Sequence, residues 1–285
     1  MCRFLAYKGA PILMDKLLYR PENSLIHQSY GARERAEPLN GDGFGVGWYM
    51  PEIDPEPAVF LSIQPAWNNA NLKYLSPKVL SACILAHIRA ATSGDVSEAN
   101  CHPFHYRNLL FMHNGSIGDF RIIKRALRMR LSDGIYDWIK GETDSEHFFA
   151  LFLEHLYGKK DSYTRDDLIK SLITAVEEIL GLLDEHGISR PFFLNSVLTD
   201  GETVLATRYV SDSSLEPHSL YHSKGGRFEC IEGVCRMSEG DPSEHAVLIV
   251  SEKLTDIDED WHKVPPNHMV VVDSELSISI VPMVV

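Results

Sequence analysis

The sequence predicts an α+β fold of layered sheets covered by helices. Five β-rich runs come first, a helical stretch follows, and five further β-rich runs close the chain. Strands and helices do not alternate, so a parallel βαβ series is not expected. No internal repeat or low-complexity tract divides the 285 residues, which suits one domain spanning 1–285 with ample apolar content for a core.

The first strand group is Cys2 to Tyr7, Phe44 to Tyr49, Ala58 to Ile63, Ala82 to Ile88 and Leu109 to His113, each bounded by Gly, Pro, Asn or Asp. Met50 to Pro57, with three prolines, reads as a loop or edge excursion. Helical spacing follows: Phe120, Ile123, Ala126 and Leu127, then Phe148, Leu151, Phe152 and His155. The longest stripe, Leu168 through Leu183, is opened by Thr164-x-x-Asp167 and stopped by Gly187, and reads as packing. The second strand group is Phe193 to Leu198, Thr203 to Tyr209, Ala246 to Ser251, Met269 to Asp273 and Ile278 to Val281.

Forty acidic against 27 basic residues give a formal charge of -13, which disfavours nucleic-acid and anionic-membrane partners. No apolar run reaches the roughly 18–20 residues of a membrane span, and Lys8 interrupts the opening segment too early for a signal peptide. A cytoplasmic location is expected, with Cys2, Cys83, Cys101, Cys230 and Cys235 as reduced thiols. Cys230 and Cys235 near His222 are half of a metal site at most, because the second ligand pair is missing.

Six segments carry candidate chemistry. In Met1-Cys2-Arg3-Phe4-Leu5, removal of Met1 places a thiol and a free α-amine on one residue. An amine of reference pKa about 7.7–8.0 can serve as base for a thiol of about 8.5; the alternative is a small hydrophobe opening a buried strand. Asn40-Gly41-Asp42-Gly43-Phe44-Gly45-Val46-Gly47 suits close approach by another backbone or a ligand, or else a hairpin turn. His87-Ile88-Arg89-Ala90-Ala91-Thr92 sets Arg89 just past a strand end, where it can fork a carboxylate with help from Thr92, or form a surface salt bridge. In Asn100-Cys101-His102-Pro103, His102 either binds substrate or caps a strand. Phe111-Met112-His113-Asn114-Gly115 is read as a strand ending in a sharp turn, whose Asn114 side chain and Gly115 N–H are an apt oxyanion pair. Finally, Thr143 and Glu146 form a plausible capping box, leaving Asp144 free to meet a cationic amine.

Taken together and in this order, the segments resemble the class II glutamine amidotransferases, a branch of the N-terminal-nucleophile hydrolases. Met1-Cys2-Arg3-Phe4-Leu5 is most similar to the stand-alone branch of glutathione-degradation and ergothioneine-pathway γ-glutamyl amidohydrolases. The resemblance implies a four-layer αββα sandwich. It also implies that Cys2 attacks the carbonyl of glutamine or another γ-glutamyl small molecule, its own α-amine moving the proton. Asn114 and Gly115 hold the oxyanion, Arg89 and Thr92 bind the α-carboxylate, Asp144 pairs with the α-ammonium, and His102 shapes the pocket. A γ-glutamyl thioester is then hydrolysed by water, with no metal or organic cofactor. With Met1 retained the proposed base is an amide nitrogen, so the scheme requires its removal.

Many relatives carry a synthase module, but no Ser-Gly-Gly-x-Asp phosphate loop occurs here. An ammonia acceptor therefore sits on a separate synthase or peptidase subunit, or water is the acceptor. Two other readings stay open: a non-catalytic glutamine-sensing or regulatory subunit, and an N-terminal-Cys acylase acting on other amides. Substrate selectivity is expected from the loops Ser24 to Pro38 and Tyr209 to Gly226.

Overall fold

The structure, a computed structural model, describes residues 2–34, 39–90, 95–158, 162–231 and 233–285. In chain order the strands are β1 (Arg3–Leu13), β2 (Phe44–Met50), β3 (Asp54–Ser62), β4 (Leu80–Ile88), β5 (Phe104–Tyr106), β6 (Leu109–Ser116), β7 (Phe193–Thr199), β8 (Val204–Val210), β9 (Tyr221–Ser223), β10 (Arg227–Ile231), β11 (Val234–Ser238), β12 (Ala246–Val250), β13 (Trp261–Lys263), β14 (His268–Val272) and β15 (Ile278–Pro282). The α-helices are α1 (Met14–Leu18), α2 (Leu25–Gly31), α3 (Ala70–Leu75), α4 (Phe120–Arg128), α5 (Asp133–Trp138), α6 (Asp144–Tyr157) and α7 (Arg165–Glu185).

Two antiparallel sheets face each other. One runs β13-β9-β12-β1-β4-β2-β3 and the other β15-β14-β8-β7-β6-β5, with β10-β11 as a separate hairpin. The pleat sorts each strand between two cores. On β1, Leu5 and Tyr7 join the helices α1–α3, while Phe4 and Ala6 face the other sheet. On β6, Leu109 and Phe111 join α4–α7, while Leu110 and Met112 face β1. The result is the expected αββα sandwich.

Local chemistry explains the outer layers. The Thr164 hydroxyl caps Asp167 N–H and the Asp167 carboxylate returns to Thr164 N–H, a full capping box at the head of α7. Helix α6 is buried on nearly all sides, which is why Phe148 to Leu153 shows no clean polar face. The prolines after Met50 occupy a turn and then β3, an edge strand where lost N–H donors are tolerated. Both Gly45 and Gly47 are needed for close approach: an added Cβ at Gly45 meets the His102 carbonyl, and one at Gly47 lies 2.7 Å from Leu110 Cδ1.

Three expectations need correction. Asn114-Gly115 is not a turn: β6 continues to Ser116, with Asn114 opposite Asn195 and Gly115 opposite Leu194 on β7, so strand pairing overrides the local turn signal. Cys230 and Cys235 are not reduced thiols or metal ligands. They stand opposite each other on β10 and β11 and form a disulfide. Among the described residues, no group of three or more His, Cys, Asp or Glu is placed to hold a metal. The third correction concerns Asp144 and is given below. No helix of the described residues is long and apolar enough to cross a membrane.

Candidate active site

Cys2 directly precedes β1, in phase with the inward-facing Phe4 and Ala6, so the pleat directs it into the space between the sheets. The start of β1 is held from the opposite face. The Arg3 guanidinium donates to Glu252 Oε2 at 2.8 Å, both side chains being almost fully buried. Phe4 N–H donates to Ser251 Oγ at 2.9 Å. Residue Cys2 keeps some exposure, but its sulfur is enclosed. Burial pushes the thiol above its ordinary pKa, outweighing the Ala90 N–H at 3.4 Å and the opposing charge of Arg89. The resting thiol is therefore protonated near neutral pH and needs a base.

Arg89 lies just beyond β4 in phase with Cys83 and Leu85, which pack between the sheets. It is 3% exposed. Its backbone is locked to the glycine-rich segment, with Arg89 N–H donating to Gly43 O and Asp42 N–H donating to Arg89 O. Its guanidinium donates to Asp95 O at 3.2 Å. The companion Thr92 lies outside the described residues, as do Met1 and Arg35 to Pro38 of a predicted selectivity loop.

Asn114 follows Leu110 and Met112 on the inter-sheet face of β6. It is 2% exposed, and its Nδ2 has no hydrogen-bond partner among the described residues. Gly115 faces the other way, and an added Cβ would collide with the Phe193 carbonyl and the His113 ring. That ring is fixed. Burial keeps His113 neutral, its Nε2 must carry the proton to reach Phe193 O at 2.9 Å, and Nδ1 then accepts from the Ser145 hydroxyl at 2.8 Å. Strand β6 is thus tied to the first turn of α6.

Asp144 is the first residue of α6 and is not free. Its Oδ2 accepts Ile117 N–H at 2.8 Å and its Oδ1 accepts Ser145 N–H at 2.9 Å. Only half of the expected capping box forms: Thr143 Oγ1 accepts Glu146 N–H, but the Glu146 carboxylate turns to the N–H groups of Lys140 and Gly141. A carboxylate offers about four lone-pair sites, so two bonds leave Asp144 able to accept from an ammonium. The charges of Arg89 and Asp144 both act on the Cys2 thiol, in opposite directions.

His102 is buried beside His87, ring centroids 4.2 Å apart, with Phe104 edge-on at 4.6 Å. Burial holds both histidines neutral, His87 down to about 3. Neither ring nitrogen of His102 has a hydrogen-bond partner among the described residues, so it caps no strand and packs as a ring against His87 and Phe104.

A cleft of about 800 Å³ opens beside these groups, lined by Gly115, Asp144, Asp95, Phe193, His218 and Arg190 among others. Cys2, Arg89 and Asn114 do not line it, though Arg89 reaches its wall through Asp95. Sequence reasoning missed His218, which stacks on Phe193 at 4.9 Å, and Asn195, the fully buried residue facing Asn114 across the β6–β7 pair. Asn195 did leave a signal: it is an amide side chain two positions before Val197, on the face that packs between the sheets.

Comparison with known proteins places the chain as a whole. A family model described as glutamine amidotransferases class-II matches residues 21–281. The probable glutamine amidotransferase DUG3 of Saccharomyces cerevisiae is 40% identical over 96% of this chain and 82% of its own length. The gamma-glutamyl-hercynylcysteine sulfoxide hydrolase of Mycobacterium tuberculosis is 35% identical over 41% of this chain and 50% of its own. Among solved structures, a glutamine aminotransferase class-II domain protein from Silicibacter pomeroyi superposes with a TM-score of 0.67 at 27% identity, covering 98% of both chains. The Bacillus subtilis glutamine phosphoribosylpyrophosphate amidotransferase, at 15% identity and TM-score 0.63, shares the fold over 49% of its length.

Proposed function

This chain belongs to the class-II glutamine amidotransferases, and on that premise we propose that it hydrolyses a γ-glutamyl amide through a thioester on Cys2. The observation that carries the reading is the buried Asn114 Nδ2, a donor with no partner among the described residues, on the inter-sheet face toward which Cys2 also points. An unpaired buried donor costs about 1–3 kcal/mol, and it is offset when a substrate oxyanion accepts it.

Removal of Met1 frees the α-amine of Cys2, which takes the thiol proton as sulfur attacks the γ-carbonyl carbon. Asn114 Nδ2–H and Gly115 N–H receive the oxyanion. The tetrahedral adduct collapses as the amine leaves, taking a proton from the α-ammonium, and leaves the γ-glutamyl thioester. The free amine then activates water, which releases glutamate and regenerates the thiol. Arg89 forks the substrate α-carboxylate and Asp144 accepts from its α-ammonium, an arrangement suited to an amino-acid head and poorly suited to a plain acyl chain.

Glutamate release from glutamine and a panel of γ-glutamyl amides tests this, using protein whose mass shows Met1 removed, with and without candidate synthase or peptidase subunits. Release that disappears in Cys2→Ala is expected. Binding of glutamine without turnover in the processed protein, alone or with a subunit, rejects catalysis in favour of a sensing subunit.

A further inference from the structure

Oxyanion binding by Asn114 requires that its amide be held in one orientation, and the neighbour that can hold it is Asn195. The two residues are directly opposed in the β6–β7 register, which puts their side chains on the same face with Cβ atoms about 4.5–5.5 Å apart. Both are buried, Asn114 at 2% and Asn195 at 0% exposure. Their unpaired atoms are complementary: Asn114 Nδ2 is a donor without a partner and Asn195 Oδ1 an acceptor without one.

The orientation of Asn195 is not ambiguous. Its Nδ2 donates to the carbonyls of His218 and Ser219 at 2.9 and 3.0 Å, and two carbonyl acceptors demand the NH₂ end of the amide. The segment it grips is itself fixed from β8, the strand on the far side of β7 from Asn114. Buried Arg208, opposite Asn195 in that register, donates to His218 O at 2.8 Å and to Pro217 O at 2.9 Å. With Nδ2 committed to a segment shared with β8, the carbonyl is the branch of the amide left for β6.

We propose that Asn195 is a positioning residue whose Oδ1, unbonded among the described residues, accepts one Nδ2 hydrogen of Asn114 when substrate is bound, aiming the second at the oxyanion. The inference rests on the reading of Asn114 as an oxyanion donor. It assigns Asn195 no contact with substrate, so it predicts a loss confined to the steps in which negative charge develops on the carbonyl oxygen.

The test is a double-mutant cycle on the processed protein. Asn195→Ala and Asn195→Ser are made alone and with Asn114→Ala; the serine keeps a hydroxyl to donate toward the 218–219 carbonyls but presents no carbonyl to Asn114. Three quantities are read: kcat and KM for glutamate release, and the rate of Cys2 alkylation by iodoacetamide, a displacement that forms no oxyanion. The expected result is a kcat loss of about tenfold or more, short of the roughly 10²–10³ expected for removing the oxyanion donor itself, with KM and alkylation unchanged. No further loss is expected in the Asn114→Ala background.

A loss that multiplies with that of Asn114→Ala, a parallel fall in alkylation, or unchanged kcat overturns the assignment. Should Asn114→Ala itself leave kcat intact, the oxyanion reading fails first, and the cycle shows it separately from any failure of Asn195.

Discussion

Glu252 and Asn114 are both polar, both almost fully buried and both close to the start of β1 or the face it presents, yet they are dressed in opposite ways. The Glu252 carboxylate accepts from Arg3 Nε, Asn23 Nδ2 and the N–H groups of Arg33 and Glu34, at 2.8 to 3.2 Å. Asn114 Nδ2 donates to nothing among the described residues. Glu252 uses its lone pairs to join three stretches of chain, so its energy is spent within the fold. Asn114 keeps a donor that the fold does not use, and such a group persists where a substrate supplies the acceptor. The saturated Glu252 carboxylate belongs to the frame, and the unsaturated Asn114 amide, on the face toward which Cys2 points, is left for the chemistry.

The largest effect expected is on the saturated side. Glu252→Ala strands the buried Arg3 cation and should cost about 3–5 kcal/mol of stability, read as a shift in the urea midpoint, with kcat little changed in the fraction that stays folded. A kcat loss without loss of stability breaks the comparison. Asn114→Ala is the mirror case. It should lower kcat by about 10²–10³ while the melting temperature holds or rises, since an unsatisfied donor is removed.

Arg89 lies between these extremes, because its guanidinium serves Asp95 O and is also assigned to substrate. Arg89→Lys, which loses the fork, should raise KM for glutamine by about tenfold or more with a smaller change in kcat. An effect on stability alone removes it from the substrate site. The smallest effect is in acid. Burial by itself raises the Glu252 pKa, but the N–H of Arg33, the Asn23 amide and the Arg3 charge hold it below the ordinary value. Its contribution is therefore complete above about pH 4.3 and is lost as pH falls through the lower folded value. The stability gap between the parent protein and Glu252→Gln should be constant near neutrality and shrink below about pH 4. A gap that widens in acid reverses the sign of the argument.

What was legible in the sequence divides along the same line. Strands β1, β2, β3, β4, β6, β7, β8, β12, β14 and β15 follow from β-rich runs, and the α7 capping box is local chemistry that spacing alone reveals. The three-residue strands β5, β9 and β13 are too short to show a period. Hairpin β10–β11 was missed as strands, and its two cysteines drew attention to metals instead. Asn114-Gly115 carried a turn signal that pairing with β7, almost eighty residues away, overrides. Asp144 read as free because its partner Ile117 is 27 positions distant. Glu252 was invisible because its partner Arg3 lies 249 positions back. Residue types that do chemistry announce themselves by spacing, whereas those that hold them in place are defined by contacts only the fold creates.

The central claim is tested most directly by mass spectrometry of the Met1-processed protein, quenched during turnover of glutamine and digested to its N-terminal peptide. The account predicts one glutamyl group on Cys2 as a hydroxylamine-labile thioester, accumulating less in Asn114→Ala and absent in Cys2→Ala. Glutamate release that continues with no adduct at Cys2, or that survives in Cys2→Ala, contradicts it.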